Sequence, residues 1–215
     1  MENLEIINHL KQKVNEMFKD ECTGHDISHL TRVLDNAIEI QKVEGGDFYV
    51  VAVSALIHDI HRLMSTKLKK YVPPEDSLDE VQKILLESGV DLDKLDAILE
   101  VVKNHDNKDS KNYSLETLIV QDADALDAMG EIGLKRTLKY CKTNNIPLTS
   151  SLPLDCKEYI PDINPISTCH YIYRTMIPNA KNLYTQKARE IAQDKIKILQ
   201  DFVDENYAKK NEQAK

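Results

Sequence analysis

Apolar residues recur at helical spacing along most of the chain, so the pattern predicts helices rather than strands. A first helix is predicted over about 3–20, with Ile6, Leu10, Val14, Met17 and Phe18 on one face. Thr23-Gly24-His25-Asp26 interrupts it. A second helix, over about 27–43, carries Leu30, Val33, Leu34, Ala37 and Ile40 and stops at Gly45-Gly46. Asp47 suits the N-cap of a third helix, over about 48–64. That helix is apolar nearly all round (Val50, Val51, Val53, Ala55, Leu56, Ile57), the pattern of a central, buried element. Pro73-Pro74 marks a loop, and helices over about 76–88 and 92–105 follow, divided by Gly89. A long helical stretch is predicted from Ser114 to about Lys142. Pro147, Pro153, Pro161 and Pro165 make the segment over about 144–166 an irregular excursion. A last helix, over about 180–208, turns Tyr184, Ala188, Ile191, Ala192, Ile196, Leu199 and Val203 inward.

Composition supports an all-α bundle, since six glycines, seven prolines and no tryptophan are few turn formers for a strand-rich fold of 215 residues. That length suits one domain with a core large enough to need no metal or disulfide for stability. The 28 basic against 36 acidic residues give a net charge of -8, which disfavours general nucleic-acid binding. No apolar run approaches the roughly 20 residues of a membrane helix. The opening Met1-Glu2-Asn3-Leu4-Glu5 lacks the layout of a signal peptide. The four cysteines (Cys22, Cys141, Cys156, Cys169) form no C-x-x-C pair and read as reduced thiols, so a cytoplasmic protein is expected.

Three segments concentrate imidazoles and carboxylates: His25 to Arg32, His58 to Arg62, and Asp122 to Asp127. His58-Asp59 ends the apolar helix, where an ionised Asp is costly unless it is paired or coordinated. A buried, hydrogen-bonded His–Asp pair would satisfy that condition, and so would a cation shared by both side chains. Imidazole and carboxylate together suit Mn²⁺, Fe²⁺, Co²⁺, Ni²⁺ or Zn²⁺. His29 and Arg32 share a side of their helix, where a lone histidine is more often a satisfied core residue. Asp122, Asp124 and Asp127 crowd an apolar stretch; Asp124 and Asp127 share a face, and Asp122 points roughly opposite. Cys169-His170-Tyr171 fits a packed helix turn better than a metal site.

The order His … His-Asp … Asp resembles the HD-domain metal-dependent phosphohydrolase superfamily. The words Gly24-His25-Asp26-x-x-His29-x-x-Arg32-Val33, Ala55-x-x-His58-Asp59-Ile60, Lys103-Asn104-His105 and Gln121-Asp122-Ala123-Asp124-Ala125-Leu126-Asp127-Ala128 tighten the match. They are similar to small, stand-alone bacterial HD hydrolases, nucleotide pyrophosphatases among them. The resemblance covers about residues 5–145 of a single HD domain; 146–215 form a loop and C-terminal helical extension outside it. It implies one divalent metal (Mn, Fe, Co, Ni, Zn or Mg) on His29, His58, Asp59 and Asp124, with water and a phosphate oxygen in the remaining positions. The Ala-Asp-x-Leu word favours Asp124 over Asp122 as the ligand.

The resemblance further implies that His25, His61 and His105 transfer protons or contact phosphate, and that Arg32 neutralises developing charge. Lys108, Arg136 and Asp127 are the candidate substrate contacts, although a surface ion pair would equally explain each cation. The expected partner is a small phosphorylated substrate such as a nucleotide, with neither nucleic acid nor membrane, and a homodimer is compatible. A phosphodiesterase, a (p)ppGpp-type hydrolase and a non-catalytic metal- or nucleotide-binding regulatory module fit the same words. The chain departs from the subgroup at two places. Asp106 follows the third-motif His where many members carry Ser, and His61-Arg62 stands where many carry an acidic residue. A negative charge at 106 repels polyphosphate, which counts against a triphosphate substrate.

Overall fold

The structure, a computed structural model, describes residues 2–20, 25–107, 112–161 and 163–213, with side chains over 3–20, 25–107, 112–161 and 163–207. Among the described residues there are helices and no strand; Ile160 and Asn164 form an isolated bridge. The helices are α1 (Glu2–Phe18), α2 (Ile27–Glu44), α3 (Phe48–Ile57), α4 (Ile60–Leu68), α5 (Leu78–Glu87) and α6 (Leu92–Asn104). Then come α7 (Leu115–Asp127), α8 (Gly130–Thr143), α9 (Thr168–Tyr171), α10 (Ile177–Lys181) and α11 (Gln186–Gln213). A 3₁₀ turn, Pro74–Ser77, leads into α5, and a π turn, Ile172–Met176, joins α9 to α10. The all-α class expected from composition and spacing is therefore present. No described helix is long and apolar enough to cross a membrane.

The chain divides into two compact units, Met1–Asp124 and Ala125–Lys215. In the first, α3 packs against α1, α2 and α6 and is buried from Tyr49 to Ile57. Its all-round apolar sequence requires that position. Asp47 caps it as expected, accepting from Tyr49 N at 2.9 Å and Val50 N at 3.2 Å. Gly45, at φ 87°, ends α2 in a backbone region that other residues enter only with strain. In the second unit, α11 packs against α8 and α10, with Ala188, Ala192, Leu199 and Val203 buried as predicted. Tyr184, Ile191 and Ile196 are only half-buried.

Two predicted helices are each broken in the structure. The stretch over 48–64 divides at His58-Asp59, where Asp59 (φ -94°, ψ 14°) leaves the helical region. The chain re-enters a helix through a tight bond from Arg62 N to Asp59 O at 2.9 Å. The stretch over 114–142 divides at Ala128-Met129, where Met129 is extended (φ -117°, ψ 175°) and Gly130 has φ 65°. The Ala128 carbonyl folds back against Gly133, where a Cβ would lie 2.0 Å from the oxygen. Hydrophobic spacing continues smoothly through both breaks, so periodicity alone does not register them.

Candidate metal centre

Asp26 caps α2, accepting from His29 N at 3.0 Å. The cap fixes the first turn and turns His29 inward beside α3. The break after α3 sends two consecutive side chains the same way, with His58 Nε2 3.5 Å from Asp59 Oδ2. In an unbroken helix they would diverge by about 100°. α7 brings Asp124 beside His29, with Oδ1 3.4 Å from His29 Nε2. Asp122 is buried on the same helix. The four residues implied as ligands are thus gathered in one place. His29, His58 and Asp124 can offer one atom each within 4.8 Å of one another, and so can His25, His29 and Asp59.

Asp59 is the hub. Its Oδ2 lies 2.7 Å from His25 Nδ1 and 3.2 Å from His29 Nε2. Its Oδ1 lies 3.8 Å from His105 Nε2, 3.9 Å from His61 Nδ1 and 3.8 Å from Arg62 Nε. Burial alone would push the Asp59 carboxyl up; the adjoining His58 imidazole and the hydrogen bonds from His25 and His29 outweigh it and hold it well below the usual carboxylate range. The imidazoles form a chain of edge and tilted contacts: His25–His29 at 5.3 Å, His29–His58 at 5.5 Å, His58–His105 at 5.0 Å and His105–His61 at 5.2 Å between centroids.

One local device sets three of these rings. His58 Nδ1 donates to Ala55 O at 2.9 Å, His61 Nδ1 to His58 O at 3.3 Å, and His105 Nδ1 to Val102 O at 2.7 Å. A carbonyl only accepts, so each Nδ1 carries the proton and each Nε2 keeps a lone pair. The Nε2 atoms of His58 and His61 are buried with no hydrogen-bond partner among the described residues. Burial lowers the His58 pKa against the opposing pull of Asp59, and burial lowers that of His61 to about 4. Both rings are neutral near pH 7, the state in which imidazole binds a metal. Asp59 is a buried carboxylate beside the lone-pair nitrogens of His58 and His61, an arrangement that a divalent cation would satisfy. The donor set fits such an ion.

The structure places the other sequence-predicted residues unevenly. His105 ends α6 inside the cluster. Gln121 of α7 pins that turn, its Nε2 donating to Asn104 O at 2.7 Å and Asn107 O at 2.8 Å. Arg32 is half-buried on α2. In the second unit Arg136 Nη1 donates to Asp127 Oδ2 at 3.2 Å, so these two meet each other. Lys108 lies outside the described residues. Sequence reasoning passed over Arg62, whose Nε is beside Asp59; its place just after His58-Asp59 was the available signal. It also passed over Gln121, which stands in the same word as Asp124.

The description "HD domain" belongs to the family model that matches residues 26–129. The uncharacterized protein YpgQ of Bacillus subtilis (strain 168) is 26% identical over 208 residues, 94% of this chain and 93% of that protein. The solved structure of the Lin1889 protein from Listeria innocua is 27% identical, with a TM-score of 0.72, over 95% of this chain and 94% of that one. The fold is also shared with YpgQ in complex with ADP (TM-score 0.76, 23% identity, 97% of each chain). An HD-superfamily hydrolase from Bacillus thuringiensis has a TM-score of 0.75 at 24% identity, over 97% of this chain and 98% of that one.

Proposed function

We propose that the protein, whose residues 26–129 match the HD domain model, is a metal-dependent phosphohydrolase acting on a nucleotide or a similar small phosphate ester. The observation that carries this reading is the gathering of His29, His58, Asp59 and Asp124 in one place. His29, His58, Asp59 and Asp124 would hold one divalent ion, of Mn, Fe, Co, Ni, Zn or Mg. When bound, the ion supplies Lewis acidity that lowers the pKa of water and offsets phosphate charge.

The chain's own residues supply the rest. His25 donates through Nδ1 to Asp59, which leaves its Nε2 to exchange a proton with substrate or solvent; its side chain is 27% exposed. Arg62 can turn from Asp59 toward an incoming phosphate oxygen, a cation that an acidic protein needs at an anion site. Arg32 is proposed as a further phosphate contact. A nucleotide is favoured because YpgQ, of the same fold, was solved in complex with ADP. The free thiols of Cys141, Cys156 and Cys169 suit a reducing compartment, and we assign the protein to the cytoplasm.

The test is a hydrolysis screen over nucleotides, phosphomonoesters and phosphodiesters, run on protein stripped by chelator and then reloaded with each ion. Turnover of a nucleotide that disappears on stripping and returns on reloading is expected. Full activity in stripped protein would overturn the reading, as would reloaded protein that cleaves no phosphate.

A further inference from the structure

His105 stands where the chain itself offers little to hold it. α6 ends at Asn104, and from Asp106 to Asn112 every residue is polar or charged. No apolar side chain in that run can anchor the turn by burial. A carboxamide from α7 anchors it instead. Gln121 Nε2 carries two N–H groups, and it donates to two carbonyls, Asn104 O at 2.7 Å and Asn107 O at 2.8 Å. These carbonyls stand on either side of His105-Asp106, and Asn107 N closes the same turn on Asn104 O at 3.1 Å. Gln121 is 3% exposed, and its Oε1 is buried with no hydrogen-bond partner among the described residues. An unpaired buried amide oxygen is costly, and an apolar residue of similar length would avoid that cost. The two donors, rather than packing, therefore explain a glutamine here. The ring that the turn carries is closely set: its centroid lies 5.0 Å from that of His58 and 5.2 Å from that of His61. Its Nδ1 is bonded to Val102 O at 2.7 Å.

We propose that Gln121 is a positioning residue for His105, which it sets in place by clamping both carbonyls of the turn that carries the ring. Gln121 precedes Asp124 by three residues on α7, so one helix bears both the clamp and a carboxylate of the cluster. The clamp thereby fixes His105 of α6 against Asp124 of α7. Without it the turn loosens, His105 Nδ1 leaves Val102 O, and Nε2 no longer points in one direction. The effect on turnover rests on the phosphohydrolase reading; the effect on the ring does not.

The experiment reads the ring and the rate separately. Long-range ¹H–¹⁵N spectra of full-length protein in Mg²⁺, a diamagnetic ion, report which His105 nitrogen carries the proton, and His105→Ala assigns the signal. The Nδ1–H form is expected in the unmutated protein. Gln121→Met keeps the length and removes both donors, and its His105 signal should average between the two tautomers. On a substrate from the hydrolysis screen, kcat should fall about 10²-fold with KM unchanged, as a misplacement of about 1 Å can cause. In a His105→Ala background the same change should lower kcat no further, since both act through one ring. Circular dichroism checks the fold, and Gln121→Leu is the second variant should Gln121→Met not fold. An unmoved His105 signal in Gln121→Met, or losses in kcat that add in the double variant, would overturn the proposal. So would a lower melting temperature with ring and kcat unaltered, the mark of a purely structural residue. Unmutated protein that cleaves no phosphate ester would overturn the proposed function, and the ring signal would still decide the role of Gln121.

Discussion

His58 and His170 are both fully shielded from solvent, yet their ring nitrogens are served in opposite ways. His170, in the second unit, uses both. Nε2 donates to Pro153 O at 3.0 Å, and Nδ1 accepts from Ser167 Oγ at 2.8 Å. Tyr159 stacks on the ring at 6.3 Å, and Arg174 lies 5.4 Å over Tyr159. The ring thereby ties α9 to the proline-bearing excursion, and every polar atom is accounted for. His58, in the first unit, satisfies Nδ1 and leaves Nε2 facing a carboxylate. A buried histidine with both nitrogens bonded is architecture; one with a lone pair left over is available as a ligand. Sequence alone separates the two poorly, since each lies within an apolar helical run.

The largest expected effect is that of Asp59→Ala. It should abolish metal binding and bring turnover to background, with helical content unchanged because the neighbouring core is apolar. Near-normal turnover in that variant would erase the distinction between the two histidine environments. His25→Ala comes next. It should lower turnover by about 10²-fold while metal content stays at the unmutated level. Loss of metal, measured on the same preparation, would move His25 into the ligand set.

On the other side of the comparison, His170→Ala should leave metal content and turnover alone. It should cost about 2 kcal/mol of stability, because the Ser167 hydroxyl and the Pro153 carbonyl lose their partner in a buried place. A denaturant titration measures it, and metal loss here would show that buried histidines cannot be sorted by their hydrogen bonds.

Acidification should separate the two kinds of group again. In metal-free protein His61 titrates near 4 when folded against an ordinary 6.5, so the unfolded chain takes up the proton first. Stability should fall as pH drops from about 6.5 to 4. Asp47 behaves otherwise. Burial works to raise its carboxyl, but Lys94 and the Tyr49 and Val50 amides hold it below the ordinary 3.8. Its stabilisation is present above that pH and is lost only as pH falls further. Thermal scans of Asp47→Ala should show the smallest change, about 1 kcal/mol near neutrality.

Much of this was legible in the sequence. The helical period located α1, α2 and α6 to within two residues at each end, and Asp47 announced itself as a cap because a short acceptor before an apolar run has one common use. The His-Asp word showed where chemistry would concentrate. What the sequence hid were two breaks and their consequence. A polar pair at 58–59 reads as the end of one face, whereas the structure uses it as a corner. His105 gave no sign of being buried, because its environment comes from α3 and α4, more than forty residues away in the chain. The same distance hid the role of Gln121, whose partners on the α6 turn are not sequence neighbours.

The exposure of the cluster is graded: Asp59, His29, His58 and His105 are at most 3% exposed, whereas His25 is 27% and Asp124 33% exposed. For an ion held here, the interior rings and Asp59 would set how tightly it is held, while His25 at the rim would stand on its way in and out. A change at His25 that leaves affinity unaltered would speed or slow loading and release together.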